Sequence, residues 1–475
     1  MNLVRPLRAL VFAAALAGAA LFVLNAADMV RREVPGDYVE GVVLSAHRTV
    51  AAGGSAFDPA GWSALPWRIN LYGPVHYQLG AWALRMGGDP SSLRPGRVLS
   101  LLAVAIALAA LWRLMRRGLG LPAGPALFGL LVPLGYLPVL VFAPQNRVDT
   151  LAVAASLAGL ALVLEERPGT DVAAGAAFVL GVFTKPTALA APAVAVLWLL
   201  SRRRWRDASL VAGTCAALGL AWLALLSAST HGGFLQAIGF NGANPFALGG
   251  FVKATQIALA AAPVPLLAGL AIAWLAGGES PRRLLSGYYL LALALALATV
   301  GKVGANLNYF IEPGLALAPL AAIAWHLWGR TVTGAAVALA ALVTTLAWSA
   351  PRVAWEIRGR TERMAAERRL APLLAGKTVL TMEVSSVFRA GGTPVLNDPC
   401  IFAYLARAKR WDESGLVAAI RDRRIDVILA DADLSLKDPA FSNWSPAVRS
   451  AATESYRLAA VHGPGLFLYE PKGRP

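Results

Sequence analysis

"RALVFAAALAGAALFVLNAADMVRREVPGDYVEG" runs from Arg8 to Gly41. Its first part, Ala9 to Ala27, is an apolar run behind two arginines, Arg5 and Arg8. A secretory signal has an apolar core of about 7–15 residues, so this longer run reads as a retained first membrane helix. Its second part sets two acids, Asp37 and Glu40, directly beyond that helix. Apolar runs of similar length recur along the chain, and 57% of its 475 residues are hydrophobic. Only 15% are charged, against about 25% in soluble domains. The chain therefore reads as a polytopic membrane protein.

The formal net charge of +16 does not point to nucleic acid. Its arginines gather in short loops between apolar runs, at 113, 116 and 117, at 202–206, and at 282 and 283, as the positive-inside rule requires. Hydropathy and loop charge give about eleven spans, with cores near 7–27, 96–115, 122–142, 149–165, 171–184, 186–201, 208–229, 253–276, 284–301, 309–328 and 331–350. This topology puts the N-terminus in the cytoplasm and the C-terminal part outside. The expected architecture is a mainly helical transmembrane bundle over 1–350, with a long outer loop at 28–94, followed by a soluble α/β domain over 351–475. In that loop, "INLYGPVHYQLGAWALRMGG" (69–88) is apolar and aromatic but too short to span, and reads as an interfacial helix. In the tail, 377–384 and 425–432 read as strands, 414–424 as a helix, and 456–471 as two strands around a Gly-Pro-Gly turn. Cys215 lies in an apolar run and Cys400 in the tail, so no disulfide framework is expected.

A helix from Asp37 to about Ala52 would place Asp37 and Glu40 on one face, with Cβ atoms roughly 5–6 Å apart. Gly36 and the pair Gly53-Gly54 suit its ends. Two acids there either cap the helix or act as a general base and its binding partner. Arg147 and Asp149, in "NRVDTLA", sit at membrane depth, where charged residues mark function or fix helix register. Lys185, in "FTKPTALAAP", either snorkels to the interface or contacts a phosphate. Lys302, Asn308, Tyr309 and Glu312 cluster at the outer end of a late span, and Tyr72, His76 and Tyr77 lie in the first loop. The P-loop, HExxH and Cys/His metal patterns are all missing from the sequence.

Taken in order, "GDYVEG", "YGPVHY", "GRVLSLLA", "NRVDTLA", "FTKPTALAAP" and "NYFIEPGLALAP" resemble the GT-C glycosyltransferases, polytopic enzymes such as protein O-mannosyltransferases and aminoarabinose transferases. The resemblance covers roughly residues 7–350. It implies a polyprenyl-phosphate-linked sugar donor, a periplasmic glycan, lipid or protein acceptor, and a bacterial inner-membrane location. It gives Asp37 the role of catalytic base or acceptor contact, with Glu40 beside it, and Arg147, Lys185 and Lys302 the donor phosphate. Tyr72, His76, Tyr77, Asp149, Asn308, Tyr309 and Glu312 become substrate contacts. The family pattern often has adjacent Asp-Glu where this chain has Asp-x-x-Glu. No cofactor is required, although the family allows a divalent metal at Asp37 and Glu40. An alcohol acceptor needs a carboxylate base, while a phosphate leaving group needs only positive charge, so direct displacement with inversion is the expected chemistry. A lipid-linked sugar flippase, or a polysaccharide polymerase or ligase, are the alternatives.

Overall fold

A computed structural model describes residues 3–165, 167–242, 244–261, 280–436, 443–462 and 466–473. Among these residues, six helices are long and apolar enough to cross a membrane: Val4–Arg32, Arg94–Gly118, Trp205–Ser229, Pro281–Val300, Leu307–Trp328 and Val332–Leu374. Shorter apolar helices occupy Ala123–Gly135, Asp149–Val163, Thr170–Val182, Ala190–Ser201 and Leu248–Ala261. The chain is a multi-pass membrane protein. Each expected apolar segment falls on one of these helices. The segment 253–276 is followed only to residue 261; the rest of it lies outside the described residues.

Proline explains where the apolar runs break. Pro133 turns the end of the helix Ala123–Leu131 into a 3-10 turn, Val132–Gly135, and Pro138 starts the short helix Leu137–Phe142. Each proline lacks the amide that an uninterrupted helix would use. The last long helix behaves in the opposite way. It runs from Val332 through Leu374 instead of ending near residue 350. The charged stretch after Pro351 is rich in Arg, Glu and Ala, which all favour helix.

The chain forms two compact units: Met1–Met29 with Val98–Leu223 and Ala247–Ile357, and Val30–Arg97 with Ala224–Phe246 and Arg358–Pro475. The first unit is a helical bundle whose core includes Tyr136, Leu157, Phe178, Leu285 and Leu315.

The second unit joins the first loop to the C-terminal part. Its sheet has five strands: β1 (Thr378–Thr381), β2 (Thr393–Pro394), β3 (Val427–Ala430), β4 (Tyr456–Val461) and β5 (Phe467–Pro471). They lie in the order β2-β1-β3-β5-β4. β2, β1 and β3 are parallel; β5 and β4 run antiparallel. The expected helix is present at Ser414–Arg421. The Gly-Pro-Gly turn at 463–465 lies outside the described residues.

Residues 67–70 of the first loop lie beside β2. Trp67 N donates to Val395 O at 2.9 Å, and Asn397 N donates to Trp67 O at 3.1 Å. The buried Asn397 amide accepts from Ile69 N at 2.9 Å and donates to Ile69 O at 3.1 Å. Two loop helices, Val39–Ala51 and Pro74–Arg85, pack together through stacked His47 and His76 rings with centroids 5.2 Å apart. At Gly53 the backbone turns with φ +87°, ending the first of these helices as its Gly-Gly pair implied.

Val39–Ala51 also presses on the segment after β1. A Cβ added at Gly41 would lie 2.7 Å from Ser385 N and 3.2 Å from Val384 Cβ. Backbone cannot yield as a side-chain tip can. Gly41→Ala is therefore expected to destabilise this unit by about 1–3 kcal/mol, read as a lower thermal midpoint of the purified protein. An unchanged midpoint would mean that the contact is looser than these distances.

Candidate active site

Each unit carries a cluster of charged side chains. In the helical bundle the centre is Asp149, in the first turn of Asp149–Val163 and 3% exposed. Lys185 Nζ donates to its Oδ1 at 2.6 Å, Asn308 Nδ2 to the same oxygen at 2.8 Å, and Arg147 Nε to Oδ2 at 3.1 Å. Lys185 comes from the turn that Pro186 enforces after Thr170–Val182, and Asn308 from the 3-10 turn Leu307–Phe310. The Lys185 ammonium also lies 4.5 Å from the centre of the Tyr309 ring, a cation–π contact. Glu312 Oε1 accepts from Tyr288 O–H at 3.1 Å. Asp149, Lys185, Asn308, Tyr309 and Glu312 all line one cavity.

The structure thus gathers six of the expected residues: Arg147, Asp149, Lys185, Asn308, Tyr309 and Glu312. Arg147 and Lys185 share one carboxylate, which leaves that trio with one positive charge. Lys302 is elsewhere, in the turn after Ser280–Val300 and not on the cavity wall. Tyr288, the partner of Glu312, was hidden in an apolar stretch, "GYYLLALAL", where a tyrosine reads as packing.

The acidic motif is arranged differently from the expectation. The helix begins at Val39, so Asp37 lies ahead of it and the two acids do not share a helical face. Asp37 is partly exposed, and its Oδ1 accepts from Val39 N at 3.2 Å. Glu40 is fully buried and paired with Arg97, also fully buried. Arg97 Nε and Nη2 reach its two oxygens at 2.8 and 2.7 Å, Gly36 N donates to Oε2 at 2.8 Å, and Arg97 Nη2 donates to Val34 O at 2.7 Å. Glu40 therefore holds the loop's backbone through Arg97, the arginine of "GRVLSLLA". A divalent metal at Glu40 would share that carboxylate with Arg97 and Gly36. Among the described residues, no group of three or more His, Cys, Asp or Glu is placed to hold a metal ion.

His76 and Tyr77 are fully buried against the loop helices. Tyr72 is partly exposed. Burial, then the neighbouring His76, hold the His47 imidazole well below its ordinary range. The C-terminal part adds two acids that feel the charge of Asp37. Asp398 accepts from Ile401 N at 3.1 Å and caps the helix Pro399–Arg407; burial first, and Asp37 among its neighbours, push it up to about 6. Glu383, just after β1, is pushed up to about 7 by burial and by Glu367, Asp37 and Asp431, against the opposing pull of Arg363.

An acid with a raised folded value favours the fold below its unfolded value and loses that contribution as pH rises through the folded one. For Glu383 the window runs from about 4.5 to about 7. Glu383→Gln should therefore stabilise the protein at pH 8 by about 3 kcal/mol and change it little at pH 4.5. Thermal melts of both proteins at the two pH values check this; an equal effect at both would show that ionisation is not the cause.

Comparison with known proteins agrees with this architecture. Residues 73–231 match the family model described as dolichyl-phosphate-mannose-protein mannosyltransferase. The solved structure of ArnT from Cupriavidus metallidurans bound to undecaprenyl phosphate superposes over 96% of this chain and 98% of its own, at 15% identity and a TM-score of 0.62. The chain has the fold of the GT-C membrane glycosyltransferases. Other GT-C structures align as well. The Archaeoglobus fulgidus oligosaccharyltransferase in the apo form covers 98% of this chain and 74% of its own, at 12% identity and a TM-score of 0.56. The mycobacterial arabinofuranosyltransferase AftD covers 96% of this chain and 41% of its own, at 16% identity and a TM-score of 0.51. No curated protein matches this chain.

Proposed function

We propose that this protein is a glycosyltransferase that moves one sugar from a polyprenyl-phosphate carrier to an acceptor at the periplasmic face of a bacterial inner membrane. The observation that supports it is Asp149 and Lys185 on a cavity wall in the helical bundle, with the buried Arg147 paired to the same carboxylate from behind the lining. A glycosyl phosphate diester carries one negative charge, which the trio's one net positive charge complements. When the sugar–oxygen bond breaks, the departing carrier gains a second negative charge. Lys185 and Arg147 stabilise that charge as it develops, so no general acid is needed. Asp37 takes the proton of the acceptor hydroxyl as its oxygen attacks the anomeric carbon, and the configuration inverts.

The GT-C fold supports this reading, as do the family model's mannosyltransferase description and the carrier bound in the ArnT structure. The distribution of arginines supports a cytoplasmic N-terminus and a periplasmic C-terminal part. The acceptor is a periplasmic glycan, lipid or protein.

The test is to reconstitute the purified protein in vesicles with a labelled polyprenyl-phosphate sugar and candidate acceptors, then follow both products by mass. Release of free polyprenyl phosphate with an acceptor heavier by one sugar is expected. Movement of intact lipid across the bilayer without consumption would make the protein a flippase. An acceptor carrying many added sugars would make it a polymerase.

A further inference from the structure

The cavity beside Asp149 contains an unused acceptor. Asn308 is 4% exposed and lines this cavity. Its Nδ2 donates to Asp149 Oδ1 at 2.8 Å. That bond fixes which way the amide faces: a carboxylate held by Lys185 and Arg147 can only accept, so the nitrogen must face it and the carbonyl oxygen must not. The carbonyl oxygen, Oδ1, is then buried with no hydrogen-bond partner among the described residues. Buried polar atoms in native proteins are nearly always paired, so an orphan on a cavity wall marks the place of a donor from outside the chain. Glu312, whose Oε1 is already engaged by Tyr288, brings a second acceptor group to the same wall. A ligand that suits both the cations and these acceptors carries an anion next to hydroxyl groups.

We propose that Asn308 Oδ1 accepts a hydrogen bond from a ring hydroxyl of the carrier-linked sugar, so that this wall distinguishes the loaded carrier from the spent one. The inference rests on the reading of the cavity as the donor phosphate site. It assigns to Asn308 a task separate from holding Asp149. The bare polyprenyl phosphate satisfies the cations but leaves Oδ1 unpaired. The glycosylated carrier satisfies both. Transfer of the sugar therefore removes one hydrogen bond from the carrier that must leave, offsetting part of the attraction its second negative charge gains.

Equilibrium binding to the full-length protein in nanodiscs tests this. The probes are farnesyl phosphate and its mannosyl, arabinosyl and aminoarabinosyl diesters. Wild type should prefer at least one diester over farnesyl phosphate by about ten-fold. Asn308→Ala should lose that preference while its affinity for farnesyl phosphate changes by less than about three-fold. Equal weakening of both kinds of ligand would overturn the inference, because Asn308 would then act only through Asp149. A preference retained in Asn308→Ala, or none in wild type for any sugar, would overturn it as well.

A ligand-side measurement guards against a misfolded variant. Removing single ring hydroxyls from the preferred diester should cost wild type about ten-fold at one position; no loss at any position overturns the inference. Wild type that binds neither farnesyl phosphate nor any diester would instead remove the donor reading of the cavity itself.

Discussion

Asp37→Asn is expected to slow sugar transfer by about 10²–10⁴-fold while leaving folding and carrier binding close to wild type. The substitution is nearly isosteric, and its oxygen can still accept from Val39 N as Asp37 Oδ1 does at 3.2 Å. What it loses is the ability to take a proton. An acceptor hydroxyl is a weak nucleophile until that proton moves, so the loss should fall on the chemical step. Single-turnover rates with saturating carrier would isolate that step, and a thermal melt would check the fold. A rate within a few-fold of wild type would show that Asp37 is not the base. A loss of the same size confined to acceptor affinity would make Asp37 a binding group.

Arg97→Ala is expected to cost about 3–5 kcal/mol of stability, enough to unfold the unit that contains the first loop. Both Arg97 and Glu40 are fully buried, and removing one leaves the other charged and uncompensated. The backbone acceptor Val34 O and donor Gly36 N lose their partner with whichever residue is removed. Glu40→Ala should therefore be about as damaging. The informative variant is the double replacement Glu40→Leu with Arg97→Met, which removes both charges and keeps much of the volume. It should recover most of the loss, because a buried ion pair often contributes little net stability over a well-packed apolar pair. Thermal unfolding of the three variants measures this. If the double variant were as unstable as either single one, the backbone contacts, and not the charges, would be what matters.

The helical architecture was legible because long apolar runs bounded by arginines have few other readings. The polar residues in and behind the helical bundle's cavity were legible for a related reason: Asp149, Lys185, Asn308 and Glu312 on its wall, and Arg147 behind it, each stand at the end of an apolar run, where charge is costly. Their shared geometry was not. Nothing in the spacing says that Lys185 and Arg147 meet the same carboxylate, or that Asn308 spends its amide nitrogen there and leaves its oxygen unpaired. The acidic motif misled through periodicity. A separation of three residues means a shared face only inside a helix, and this helix starts at Val39. The true partner of Glu40 is 57 residues away, where no local rule reaches. The raised values of Glu383 and Asp398 come first from burial in the folded unit, and Asp37, distant in sequence, adds to both.

The strand-like pairing of residues 67–70 with 395–397 has a consequence for biosynthesis. Ile69 and Asn397 are 328 residues apart. At translation rates of about 5–20 residues per second, roughly 15–65 s separate the emergence of the two segments. During that interval the first loop must survive without its permanent partner, in the company of translocation machinery and proteases. The contacts it can make alone are those written within residues 30–97: the Glu40–Arg97 pair, the stacked His47 and His76 rings, and the two helices they join. These local contacts would then serve as a holding structure, and a variant that weakens them should reduce yield in the cell more than the stability of the finished protein alone would explain.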